Sequence, residues 1–169
     1  DITGITMPIT KQNFLVNKPE ELAQTMRLAF QMAKSGRPGP VLVDVAHDVQ
    51  TSMMEYHASK LRALPVAMPQ KELVAAAVAA LNKAERPVML VGGGAISGAE
   101  YEAVHLCEKM HLPVASTLMG LGCISSYREQ FLGMSGLHGH ERANRAIANA
   151  DVVLAVGTRF NDRVTGDRD

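Results

Sequence analysis

The chain has 169 residues, 47% of them hydrophobic, which is ample apolar material for a buried core. Seventeen basic residues balance seventeen acidic ones, so no net field attracts nucleic acid or an anionic membrane, and partners are expected to be local and specific. No apolar run approaches the roughly 18 residues of a membrane span, no basic-then-apolar leader is present, and Cys107 and Cys123 have neither metal-ligand spacing nor the density of a disulfide scaffold. A cytoplasmic setting is the default expectation. The sequence opens on Asp1 without an initiator Met and closes on Asp167-Arg168-Asp169 soon after a strand-like run, so both ends read as cuts through a longer polypeptide.

In chain order, the first segment reads strand or loop, then helix, then strand. Asn17-Lys18-Pro19-Glu20 offers an N-cap with Pro in the first turn and Glu at the third position. Leu22, Met26, Ala29, Phe30 and Ala33 form a helical stripe, and Gly36 stands where a left-handed C-terminal cap belongs. Pro38-Gly39-Pro40 stops the helix, and Val41-Leu42-Val43-Asp44-Val45 has the unbroken β-branched character of a strand covered on both faces. From about Asp48 to Pro69 periodicity fades, as in an interdomain linker lying along a surface.

A second domain is expected from Gln70, opening with an alanine-rich helix whose Leu73, Ala77, Ala80, Leu81 and Ala84 make a narrow apolar stripe. Strands follow at Pro87–Val91, Pro113–Ser116 and Asp151–Val156, separated by helices from Gly98 to Met110 and from Glu141 to Asn149. Alternating strands and helices of this kind predict an α/β fold with a doubly wound parallel sheet, cut after about three strands. An unpaired edge and marginal stability are the expected consequence.

In such sheets ligands bind beyond the carboxyl ends of the strands, which directs attention to the loops there. Gly92-Gly93-Gly94-Ala95-Ile96-Ser97-Gly98-Ala99-Glu100 lets backbone approach an anion, with Ser97 and Glu100 as a capping box, although it serves a tight structural turn equally well. It departs from the six-residue dinucleotide fingerprint, since Ser97 stands at the third glycine and no acidic residue ends the next strand, which disfavours a nicotinamide dehydrogenase. Thr117-Leu118-Met119-Gly120-Leu121-Gly122 suits an amphipathic ring over exposed backbone, or else is an ordinary loop with a core-facing Met. In Gly157-Thr158-Arg159-Phe160-Asn161-Asp162-Arg163-Val164-Thr165-Gly166 two arginines four apart offer forks for phosphate, against the alternative of a surface network with Asp162. His138 and His140 lack a third ligand of convincing spacing, so hydrogen bonding is favoured over a metal. No serine, cysteine or carboxylate pair has the arrangement of a nucleophile or an acid/base couple.

Three longer stretches, Ile5-Thr6-Met7-Pro8-Ile9-Thr10-Lys11-Gln12-Asn13-Phe14, Ser35-Gly36-Arg37-Pro38-Gly39-Pro40-Val41-Leu42-Val43-Asp44 and Gly157 to Gly166, closely resemble the large, catalytic subunit of acetolactate synthase, also called acetohydroxyacid synthase. The likeness runs in order through essentially the whole chain. It implies a thiamine-diphosphate enzyme of three α/β domains, in which residues 1–50 end an N-terminal pyrimidine-binding-type domain, 51–69 link, and 70–169 form most of a Rossmann-like middle domain carrying FAD. The family decarboxylates pyruvate and joins the two-carbon unit to pyruvate or 2-oxobutyrate, opening branched-chain amino acid synthesis. Its flavin takes part in no net redox change.

The resemblance further implies that Arg37 contacts the flavin from the first domain and that Gly92, Gly93 and Gly94 form the glycine cluster near the dinucleotide. Thr117, Leu118 and Met119 match the loop against the flavin, Gly136, Leu137 and His138 a Gly-Met-His segment, and Gly157, Thr158, Arg159, Asp162 and Arg163 the strand-end loop. The Asp162-Arg163 step also matches the edge of the channel where inhibitors of the family bind. Departures are Leu137 for Met, Asn161 for Asp, and Ala46-His47 for Pro-Lys, the lysine lining that channel in relatives. The glutamate that activates thiamine would precede Asp1 and the motif for Mg2+ and the diphosphate would follow Asp169, so the chain alone is expected to be inactive. The implied partners are 2-oxo acids and a homodimer or homotetramer with a small regulatory subunit, in the cytoplasm, or in a plastid or mitochondrion of a eukaryote. The alternatives are a related carboligase or decarboxylase, such as glyoxylate carboligase, and a non-catalytic nucleotide-binding module.

Overall fold

A computed structural model describes residues 1–58, 68–96 and 98–166. The middle of the expected linker, Ser97 of the expected capping box and the last three residues lie outside the described residues. Two compact units result, Asp1–Ala67 and Met68–Asp169.

In the first unit α1 (Ile2–Thr6) and a 3-10 turn (Met7–Ile9) lead into β1 (Gln12–Val16), α2 (Pro19–Lys34), β2 (Val41–Val45) and α3 (His47–Thr51). The opening residues are thus helical, where a strand or loop was expected, with the Asp1 carboxylate accepting from the Gly4 N–H at 2.9 Å to start the turn. β1 and β2 pair in parallel from Gln12↔Val41 to Val16↔Val45, so α2 is the crossover that a parallel pair requires. The cap of α2 is Lys18, one residue later than Asn17, and no side chain bonds it. Pro19 at the first helical position needs no partner for a missing N–H, and Glu20 and Glu21 face the positive end of the helix dipole. At the other end Gly36 takes φ +52° as expected, and Lys11 Nζ donates to Met32 O and Ser35 O, each at 2.6 Å. Ala29 is buried, whereas Met26 and Phe30 of the expected stripe are exposed, and β2 is half-buried throughout. A two-stranded sheet offers α2 too little area to cover its whole apolar arc.

The second unit begins with α4 (Lys71–Lys83), followed by β3 (Pro87–Val91), α5 (Glu100–Met110), β4 (Val114–Ser116), a 3-10 turn (Leu118–Gly120), β5 (Phe131–Met134), α6 (Glu141–Asn149), β6 (Val152–Val156) and α7 (Asp162–Thr165). All pairings are parallel, in the order β5-β4-β3-β6. Among the described residues the sheet therefore has four strands where about three were expected. β5 escaped notice because it is four residues long with Gly133 at φ +96° inside it.

Alternate strand residues sort to two faces. Met89, Val91 and Val114 pack with Ala103, Cys107, Leu112, Cys123 and Ile124 on the side of α5, while Leu90 and Ala115 pack with Ala143, Leu132 and Ile147 on the side of α6. Complete burial of Met89 and Leu112 contributes roughly 1.5–3 kcal/mol each. Along α4 only Leu81 is buried; Leu73, Val74 and Val78 are exposed, so the expected stripe is covered at its last turn alone. The α4–β3 turn is held by Asp151, whose two carboxylate oxygens accept from the Glu85 and Arg86 N–H groups at 2.6 and 2.9 Å.

Candidate functional site

From β3 the chain moves strand by strand through β4 to β5 and then crosses back to place β6 on the other side of β3. The change of direction at β3/β6 is the topological switch point, beyond whose carboxyl ends open α/β sheets bind ligands. Four loops meet along that edge. Backbone bonds continue the ladders past the strands, with Gly92 N–H to Val156 O at 2.8 Å, Gly94 N–H to Gly157 O at 2.9 Å and Thr117 N–H to Val91 O at 2.8 Å.

The glycines make this convergence possible. A Cβ on Gly92 would stand 2.7 Å from Thr158 Cα, one on Gly94 2.9 Å from Gly157 Cα, and one on Gly120 3.0 Å from Gly92 Cα. Gly93 faces Met119 Cβ at 3.0 Å, and Gly157, at φ +63°, lies against the backbone of Gly94 and Ala95. Loop-on-loop packing thus explains Gly92, Gly94 and Gly157 without a ligand, in line with the structural-turn reading of the first loop. The helix after that loop starts at Glu100 with Ala99 as its cap, later than Gly98, and Glu100 Oε2 accepts from the Gly98 N–H at 3.2 Å.

Residues 157–166 run from β6 towards the loop after β5. Val164 packs on the Leu90 and Ala115 face, and the Leu137 N–H donates to Arg163 O at 3.0 Å. Asn161 caps α7, its Oδ1 accepting from the Val164 N–H at 3.2 Å. Arg159 and Arg163 are exposed. Among the described residues the alternative surface network amounts to an Arg163 Nε to Asp162 Oδ2 pair at 3.8 Å between exposed groups, a contact worth little in water. Phe160 adopts φ +48°, an uncommon backbone for a bulky residue.

The rim carries apolar side chains that a core would normally take. Leu118 is 67% exposed, Met119 70% and Leu137 65%, so Met119 is not core-facing. Beside them the buried hydroxyls Ser116 Oγ and Thr158 Oγ1 have no hydrogen-bond partner among the described residues. Apolar rim, glycine backbone, an orphaned hydroxyl at Thr158 and two exposed guanidinium groups fit an amphipathic, anionic ligand such as a dinucleotide. Within the second unit the structure brings together Gly92–Gly94, Thr117–Met119, Gly136–His138 and Gly157–Arg163. Arg37 belongs to the first unit, exposed at an open depression of about 700 Å³ formed by residues 8–11 and 35–40. Asn144, which sequence reasoning did not single out, bonds both backbone groups of Gly136. It stands among other polar residues of α6, Glu141, Arg142, Arg145 and Asn149, so nothing in the sequence set it apart. Among the described residues no group of three or more His, Cys, Asp or Glu is arranged to hold a metal, and no helix is long and apolar enough to cross a membrane.

A parallel sheet with helices on both faces and its functional edge at a switch point defines a Rossmann-like α/β domain. Residues 74–169 match the family described as thiamine pyrophosphate enzyme, central domain, and the chain belongs to that family. It is similar to the probable acetolactate synthase large subunit of Methanocaldococcus jannaschii, with 44% identity over 99% of this chain and 30% of that protein. It is also 43% identical to the acetolactate synthase isozyme 1 large subunit of Escherichia coli, over 98% of this chain and 30% of that protein. The acetolactate synthase large subunit of Corynebacterium glutamicum is 41% identical over all of this chain and 28% of its own length. The chain thus spans about 30% of the length of these curated relatives.

Proposed function

We propose that this chain is part of a thiamine-diphosphate-dependent acetolactate synthase, which decarboxylates pyruvate and condenses the two-carbon unit with pyruvate or 2-oxobutyrate in branched-chain amino acid synthesis. The observation that carries the proposal is similarity at about 40% identity along the whole chain to proteins named as acetolactate synthase large subunits. In this reading residues 1–50 end the N-terminal domain, 51–69 link, and 70–169 belong to a middle domain that binds FAD. Thiamine diphosphate, when bound, supplies the carbon nucleophile and electron sink for 2-oxo acid chemistry, and it and Mg2+ are held mainly by residues outside this chain.

The four convergent loops support a flavin role for this stretch. Arg159 and Arg163 would take the anionic groups, Thr158 Oγ1 would gain the partner it lacks, and Leu118, Met119 and Leu137 would lie against an apolar ring. Gly92–Gly94, Thr117, Gly136, His138, Gly157 and Asp162 would line the same edge. The partners proposed are 2-oxo acid substrates, a second or further copies of the large subunit and a small regulatory subunit, in the cytoplasm or a eukaryotic organelle.

The test is purification of the full-length protein, with flavin extraction and assay of acetolactate from pyruvate in the presence of thiamine diphosphate, Mg2+ and FAD. Stoichiometric FAD with acetolactate formation is the expected outcome. An active but flavin-free protein would favour a related carboligase or decarboxylase, and absence of any 2-oxo acid turnover would overturn the assignment.

A further inference from the structure

β5 lies at one edge of its sheet, where a strand leaves a row of backbone groups without a partner. The beginning of α6 fills that row with side chains and one cap. Arg142 Nε donates to Leu132 O at 2.7 Å. The His140 N–H donates to Met134 O at 2.7 Å, and the His140 ring accepts from the Met134 N–H at Nδ1, 3.2 Å away. Asn144 completes the series, its Oδ1 accepting from the Gly136 N–H at 2.8 Å and its Nδ2 donating to Gly136 O at 2.9 Å. The bonded residues, 132, 134 and 136, alternate as the outward groups of a strand do, while the intervening Ser135 N–H bonds inward to Ser116 O at 2.8 Å. One carboxamide therefore does for Gly136 what a neighbouring strand would do.

Gly136 is the point at which this edge meets the candidate site. It is buried, holds φ +102°, and a Cβ there would stand 3.2 Å from Arg163 C and nearer still to Arg163 O. The next N–H, of Leu137, donates to that same carbonyl at 3.0 Å. A side-chain amide on α6 thus fixes the loop after β5, and that loop in turn fixes the backbone of Arg163 in the loop after β6.

We propose that Asn144 is a positioning residue of the flavin site, acting through Gly136 to register the Gly136–His138 segment against the Asp162–Arg163 segment. This rests on the FAD reading above. Asn144→Asp keeps the shape and still accepts from Gly136 N–H, but sets a carboxylate oxygen against Gly136 O; Asn144→Ala removes both bonds. The Arg145 side chain, one residue on, is exposed and among the described residues pairs with Glu141 at 2.7 Å, so Arg145→Gln serves as the control.

The experiment titrates FAD into the full-length apoprotein of each variant, following flavin fluorescence and the visible spectrum of the bound flavin, with amide exchange of residues 136 and 137 measured in the apoprotein. Both Asn144 variants are expected to bind FAD about tenfold more weakly, to shift the bound-flavin spectrum and to exchange those amides faster, with Arg145→Gln unchanged. Wild-type affinity and spectrum in both variants, even with a lowered melting temperature, would mean a merely structural asparagine and would overturn this inference alone. Failure of the wild-type protein to bind FAD would overturn the flavin reading and this inference with it.

Discussion

Substituting Gly157 by alanine probes the idea that loop-on-loop packing builds the carboxyl edge of the second sheet. The new Cβ would lie 2.8 Å from Gly94 Cα and 2.5 Å from Gly94 C, both backbone atoms that cannot swing aside as a side chain can. The residue would also keep φ +63°, a left-handed conformation that costs a non-glycine residue about 1–2 kcal/mol. Overpacking against fixed atoms adds about 1–3 kcal/mol, giving about 2–5 kcal/mol in all. Two companions separate the contributions. Gly92→Ala meets Thr158 Cα at 2.7 Å without a left-handed φ, and Gly122→Ala has φ +94° with nothing within 4 Å. Urea denaturation of the full-length protein, followed by far-ultraviolet circular dichroism, should rank Gly157→Ala as most destabilised, with Gly92→Ala and Gly122→Ala each intermediate. If Gly122→Ala proved as damaging as Gly157→Ala, or Gly92→Ala matched wild type, the close packing would not be what these glycines provide.

The Glu85 amide outweighs an opposing desolvation and, with the Arg86 amide and guanidinium, holds the Asp151 carboxyl below its ordinary pKa. Its stabilising contribution is therefore full above the unfolded-state pKa and disappears as pH falls through the folded-state value. Asp151→Asn should be less stable than wild type at neutral pH, with the difference in urea midpoint closing in acid; a difference independent of pH would refute this. Burial is the leading cause that pushes both the Cys107 and Cys123 thiols up, so neither should react with a thiol-specific disulfide reagent in the native protein at neutral pH, and both should react after unfolding. Rapid native labelling of either thiol would contradict the packing described around β3.

Local signals marked most elements to within a residue or two. β3 was legible because an unbroken apolar run is what a strand buried on both faces requires, β6 carries a similar run although it stands at the sheet edge with Val153 exposed, and α6 was bounded correctly from Glu141 to Asn149. β5 was not, since Phe131-Leu132-Gly133-Met134 is too short to show a period and its glycine reads as a turn. The candidate loops could be listed from glycines and arginines after strands. The partners of those glycines could not, because each close approach joins residues far apart in sequence, as Gly92 joins Thr158.

The sequence by itself determined the α/β alternation, the resemblance in three long motifs and the chemical types available at each strand end, all properties carried by residues near one another in the chain. Only the tertiary structure decided the strand order β5-β4-β3-β6, the exposure of Met119 and the clasp of Asn144 on Gly136. Those depend on which surfaces the long-range parallel pairings bring together, and side-chain period along one segment does not specify that.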